Sequence, residues 1–221
     1  MTPSTPNPDS KPSPEATPRK AGGAFPRNPA TTSVPVLPAV ALRWSPFRFD
    51  AEAEVAGDDL QALLEAARWA PSSYGEEPWR FIVARRGDPQ REAMERTLIP
   101  GNAYARRASV LVATLAKATY TRNGKVNRVA IHDTGLATAN LLAEATNRGL
   151  ITHPMGGFDK EALRTAFRIP EDFAPVAIVA VGRHDPSLDD EIMTGKEERP
   201  RRRRSLEDTV FGAEFGVPLE F

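Results

Sequence analysis

The chain has no cysteine among its 221 residues. That absence removes disulfides, thiolate nucleophiles, iron–sulfur clusters and thiolate zinc sites together, so any redox chemistry needs a cofactor. A net charge is lacking too: Lys plus Arg and Asp plus Glu both total 29, which leaves no global field to draw the protein onto nucleic acid or an anionic membrane. Long apolar runs are missing. Those around Val110 to Ala116 and Val176 to Val181 fall far short of the roughly 20 residues a membrane helix needs, and the cytoplasm is the expected location. Histidine is scarce, and His132, His153 and His184 fall in three different elements without i, i+4 or H-x-E spacing, so no metal site is expected. His132-Asp133 has no G-x-S-x-G partner, which argues against a hydrolytic triad.

What is present is enough for one domain with a sizeable core, 40% of the residues being hydrophobic. Residues 1–38 hold ten of the 21 prolines and few aliphatics. Such a segment cannot bury enough apolar surface to offset its ordering entropy, and it is expected to be a disordered proline-rich tail preceding a folded domain at 39–221. Asp58-Asp59 followed by apolar residues at helical spacing predicts a helix from about 58 to 69, ended by Pro71. Phe81 to Ala84, Val110 to Leu115 and Ala177 to Val181 are short β-branched runs that predict buried strands, and Leu150 to His153 a further short one. Residues 127–149 read as a long helix rich in Gly and Ala, placed at the core centre or at a subunit interface. Asp159 is positioned to cap a helix from Lys160 to Phe167. Helices and strands mix without strict alternation, which predicts an α+β layered domain.

Four stretches could carry chemistry. Arg43-Trp44-Ser45-Pro46-Phe47-Arg48 combines forked N–H donors with a hydroxyl, a set that suits a phosphate as readily as it suits a solvated loop. The turn WAPSSYGEEPWR at 69–80 carries Ser72, Ser73, Gly75, Glu76, Glu77 and Trp79; its hydroxyls and carboxylates could satisfy backbone ends or meet a ligand. His153-Pro154-Met155-Gly156-Gly157-Phe158-Asp159 sets paired glycines before a helix, where a planar or anionic ligand could approach the backbone. Its spacing is not the G-x-G-x-x-G of dinucleotide folds. Arg199 to Arg204 resembles a nucleic-acid patch by composition, but without aromatic interleaving or a basic balance it reads as a solvated charge run or a local anion contact.

Taken in order, these pieces resemble the nitroreductase family of flavin-dependent oxidoreductases. The matching residues are R-W-S-P at 43–46, A-A-R-W-A-P-S-S-Y with P-W-R-F at 66–81, N-G-K-V-N-R at 123–128, H-D-x-G-L-A at 132–137, M-G-G-F-D with I-P-E-D at 155–172, and R-R-S-L-E-D-x-V-F-G at 203–212. The resemblance implies a mostly antiparallel central sheet flanked by helices, an intertwined homodimer, and an FMN in each interface cleft. It further implies hydride transfer from NADH or NADPH through FMN to a nitroaromatic, quinone or similar small electron-poor acceptor by alternating exchange, with no catalytic side chain, nucleic acid or membrane involved. By the same resemblance Arg43 and Ser45, with Arg203 or Arg204, hold the phosphate. Trp44, Ser72, Ser73 and Met155 lie along the cofactor, Gly156 and Gly157 offer N–H groups near the flavin N5 and O4, and Asn102 reaches the pyrimidine edge. The chain departs from relatives in having Gly75 where an Asn is common, Glu77 where a Gln is common, and Phe47 where an Arg or Lys is common; Arg48 is the candidate to replace that cation. A non-catalytic scaffold on the same fold, docking through its proline-rich tail, is the alternative that these departures raise.

Overall fold

The computed structural model describes residues 28–221. Of the expected tail, residues 1–27 lie outside the described residues. Residues 28–37 run irregularly, with the Ala30 N–H on the Ala41 carbonyl at 2.8 Å, and Pro38 opens a short helix, α1 (Pro38–Leu42). Proline is suited to the first helical turn, where its missing N–H has no partner to lose.

A four-stranded antiparallel sheet organises the rest. Its strands are β1 (Trp79–Arg85), β2 (Val110–Lys117), β3 (Ile151–Met155) and β4 (Phe173–Gly182), in the order β1-β2-β4-β3. β2 and β4 occupy the centre, and β2 is buried along almost its whole length. Alternate residues of a strand face opposite sides, and here both sides are covered. Leu111, Ala113 and Leu115 join Phe49, Met94, Tyr104, Met155 and Leu163 in one core. Val110 and Val112 join Leu63, Ala137, Leu141, Val179 and Val181 in the other.

The second core is roofed by α2 (Gly57–Arg68) and α4 (Ala130–Asn147). Asp58 and Asp59 complement the N-terminal end of the α2 dipole, and Asn140 Nδ2 donates to the Ala66 carbonyl at 3.1 Å, joining the two helices. α4 is shorter than the sequence suggests because Asn127 folds into a turn, its carbonyl accepting from Ala130 N and its side chain from Val129 N. Ile131, Gly135 and Ala139, spaced four apart, remain exposed on its outer side. The first core is closed by α3 (Arg91–Glu95), a 3₁₀ segment (Pro100–Arg107) and α5 (Lys160–Phe167). Asp159 caps α5 as anticipated, accepting from Ala162 N at 2.9 Å. A last helix, α6 (Glu191–Glu197), follows β4 and packs back on the entry loop at 43–48.

Candidate functional site

Arg43 caps the C-terminus of α1, and the loop it begins is fixed from the far end of the chain. Glu197 of α6 is only 6% exposed, and its carboxylate accepts from Phe47 N at 2.6 Å, Arg48 N and Nε at 2.8 Å each, and His184 Nε2 at 2.9 Å. These donors hold its pKa down at about 2 despite burial, which opposes the shift. Arg48 is therefore committed: besides Glu197 it donates to the Pro186 carbonyl at 3.1 Å, and it does not stand in as a free cation for Phe47. Trp44 is buried beside the loop, its ring 6.5 Å from His184, with no partner for Nε1 among the described residues.

Two further guanidinium groups, those of Arg201 and Arg203, act on Arg43. Its Nη1 lies 3.3 Å from Ser45 Oγ. Burial, then the charges of Arg201 and Arg203, push its pKa below the ordinary arginine value. Arg201, absent from the sequence-based candidates, donates to the carbonyls of Asn28, Ala41 and Arg43 at 2.6–2.9 Å, which ties its stretch of chain to the entry loop. Among the described residues none of the three meets a carboxylate. Arg204 is exposed and takes no part in this arrangement.

Behind this cluster lies a wall of rings. Phe47, Tyr104 and His153 are mutually 4.9 Å apart, centroid to centroid. His153 Nδ1 donates to the Pro46 carbonyl at 2.9 Å. Burial lowers the His153 pKa, with Arg43 and Lys196 acting the same way against the Pro46 carbonyl and Glu197, so the ring is held neutral. Burial also raises the Tyr104 phenol, whose Oη has no partner among the described residues. Farther along the same segments, Asn102 Nδ2 donates to the Gly157 carbonyl at 2.8 Å. A methyl group on Gly157 would stand 2.6 Å from Ile99 Cδ1 and 3.1 Å from Asn102 Nδ2, whereas one on Gly156 would meet nothing within 4 Å. A side chain at position 157 would have to displace the end of Ile99 and crowd Asn102, whereas Gly156 faces open space. Met155 is buried in the core at the end of β3.

The turn at 72–77 forms a separate group. Ser73 N donates to Asp133 Oδ2 at 2.8 Å and the Ser72 hydroxyl lies 3.4 Å from the same oxygen, so the turn is fixed to the first turn of α4. Ser72 Oγ also accepts from Glu77 N at 2.8 Å. Tyr74, Gly75 and Glu77 all have positive φ, 57°, 63° and 49°. Glu76, not Glu77, is the bound acid, accepting from Thr121 N at 2.7 Å with Lys117 Nζ at 3.8 Å; Glu77 is exposed. Among the described residues the side-chain hydrogen bonds of this turn run to Asp133 and Thr121 and not to the Arg43 cluster. Nor do the described residues include a group of three or more acidic or histidine side chains able to hold a metal, or a helix long and apolar enough to cross a membrane.

Besides Arg201 and Asp133, sequence reasoning missed Glu197 and Lys196. They stand just before the Arg199–Arg204 charge run with no pattern of their own, and only the pairing of Glu197 with residues about 150 positions earlier reveals its burial.

The Nitroreductase family profile matches residues 40–183. An uncharacterised 15.4 kDa protein of Mycolicibacterium smegmatis is 40% identical over 149 residues, covering 63% of this chain and 99% of its own. YdgI of Bacillus subtilis, named as a candidate NAD(P)H nitroreductase, is 24% identical over 174 residues, 61% of this chain and 81% of its own. A crystal structure described as an oxidoreductase containing FMN superposes with a TM-score of 0.80 at 30% identity, covering 86% of this chain and 98% of that one.

Proposed function

The chain belongs to the nitroreductase family, and on that premise we propose that it is an FMN-dependent oxidoreductase passing a hydride from NADH or NADPH to a nitroaromatic, quinone or similar electron-poor acceptor in alternating half-reactions. The similarity to an FMN-containing oxidoreductase and to NAD(P)H nitroreductase names supports the class. The observation that carries the reading is Arg43 on Ser45, with the charges of Arg201 and Arg203 acting on it and no carboxylate partner for any of the three among the described residues. Like charges gathered in a partly desolvated site repel, and a phosphate with forked N–H donors and a hydroxyl to receive it relieves that repulsion. Bound there, FMN supplies the hydride-accepting chemistry that a cysteine-free chain lacks.

The residues of the chain hold and shape. Arg43, Ser45 and Arg203 grip the phosphate, while Arg201 and Glu197 fix the loop that presents them. The ring wall keeps water from one side, and Asn102 with Gly156 and Gly157 borders the ring edge; Gly156 leaves that approach open. Ser72, Ser73, Gly75 and Glu77, held on α4, belong to the cleft of a second copy in a homodimer, with the exposed Ile131-Gly135-Ala139 row of α4 in the contact. Residues 39–221 constitute the FMN-binding domain.

A visible spectrum of the purified protein, recorded anaerobically before and after NADH or NADPH, tests cofactor and donor together. The expected result is a flavin spectrum that bleaches and returns on adding a quinone. Protein that gains no flavin on reconstitution and leaves NAD(P)H unoxidised refutes the reading.

A further inference from the structure

A fourth cation stands apart from the arginine cluster. Lys196, half-buried on α6, places Nζ 5.0 Å from the centroid of Phe47. It has no ion pair among the described residues, because the acid beside it, Glu197, is turned inward onto Arg48, His184 and two backbone N–H groups. Lys196 and Arg43 both act on His153, yet the charges acting on Arg43 are those of Arg201 and Arg203. Lys196 stands beside the ring wall, over Phe47. The same wall includes Tyr104, from the 3₁₀ segment that also carries Asn102 to Gly157. The Tyr104 segment thus links the rings beside Lys196 to the Asn102–Gly157 contact.

Resting on the FMN reading above, we propose that Lys196 is the residue that stabilises negative charge on the ring system of the reduced cofactor, and so sets its redox potential. A cation near a partly desolvated site favours the more negative of two ligand states. An ammonium on a flexible stem acts there as a point charge, without the planar fork that suits a phosphate. Glu197 serves this placement as well, because its clamp on Phe47 and Arg48 fixes α6 against the loop that Lys196 overhangs.

The test compares Lys196→Met, Lys196→Arg and Arg43→Ala with the parent protein. FMN and riboflavin affinities are measured by flavin fluorescence, and midpoint potentials by anaerobic equilibration with a reference dye. Lys196→Met is expected to keep the parent preference for FMN over riboflavin and to lose about tenfold in affinity for reduced relative to oxidised cofactor, a fall of about 30 mV for a two-electron couple. Lys196→Arg should retain the parent potential, and Arg43→Ala should lose the FMN preference. An unchanged potential in Lys196→Met overturns the proposal. So does loss of the FMN preference in that variant, which would assign the ammonium to the phosphate. If the parent binds no FMN, it is the FMN reading that fails.

Discussion

Replacing Glu197 by Gln leaves the shape of the side chain and removes its charge. In the folded protein that carboxylate receives four donors and is almost wholly enclosed. Its pKa falls from 4.5 to about 2, and at 1.36 kcal/mol per unit this corresponds to about 3 kcal/mol of preference for the charged form in the fold. Gln also turns an N–H₂ toward Arg48 Nε, leaving a largely buried cation without its partner, a change that costs about 3–5 kcal/mol in comparable buried pairs. For a protein of this size the melting temperature should fall on the order of 10 °C, measured at matched protein concentration because assembly shifts apparent stability. The pH dependence provides an independent check. A depressed carboxylate pKa contributes stability that is complete above the unfolded value of 4.5 and disappears as pH falls toward about 2. The gap between parent and variant should narrow across that window. A melting temperature within about 2 °C of the parent at neutral pH, or a gap independent of pH, would refute the assignment of Glu197 as the clamp of the entry loop.

The adjacent glycines should behave differently: Gly157→Ala pushes on Ile99 and Asn102 and should cost about 1–3 kcal/mol in urea unfolding, whereas Gly156→Ala should change stability by less than about 0.5 kcal/mol yet weaken FMN binding in a fluorescence titration. Glu77→Asn should stabilise by roughly 0.5–1 kcal/mol in the same unfolding assay, because Asn tolerates the left-handed backbone seen there better than Glu does. Asp133→Asn weakens the acceptor for Ser73 N and the Ser72 hydroxyl and should cost about 1–3 kcal/mol. Dimers mixed from Arg43→Ala and Asp133→Asn subunits should bind half the parent's FMN if the turn serves the neighbouring subunit's cleft, and almost none if it serves its own.

The sheet and the longer helices were legible because burial leaves a periodic trace. Phe81 to Ala84, Val110 to Leu115 and Ala177 to Val181 all fall within strands, and the alternation along β2 sorts its residues between two cores. α3 and the 3₁₀ segment leave no such trace: the first is five residues long, and the second runs through Pro100 and Gly101. The family resemblance named Arg43 and Ser45 together, and Asn102 and Gly157 separately; it gave no sign of the hydrogen bond that joins the last two. Partnerships distant in sequence were hidden. Arg48 looked available until Glu197 was found on it, and Ser72 and Ser73 gave no sign of the Asp133 side chain some 60 positions on. A carboxylate that is matched in three dimensions is indistinguishable in sequence from one that is merely solvated.

Holding several cations together without a resident anion requires the fold to keep further positive charge away and to fix what is already there. Backbone carbonyls take the Arg201 guanidinium, and Glu197 absorbs Arg48 and meets His184. His153, at the back of the cluster, is kept neutral by burial and by the very cations it adjoins, with Nδ1–H spent on the Pro46 carbonyl. A histidine with a depressed folded pKa contributes its full stability above the unfolded value of 6.5 and loses it as pH falls below, because the unfolded chain then binds the proton more readily. Glu197 loses its contribution only below about 4.5. Acid therefore acts on this site at two groups: a proton on His153 loads a further positive charge into the ring wall, and a proton on Glu197 releases the clamp on the entry loop. An anion bound at Arg43 and Ser45 favours protonated His153, so its affinity should persist as that ring takes a proton and should be lost when the loop itself is freed.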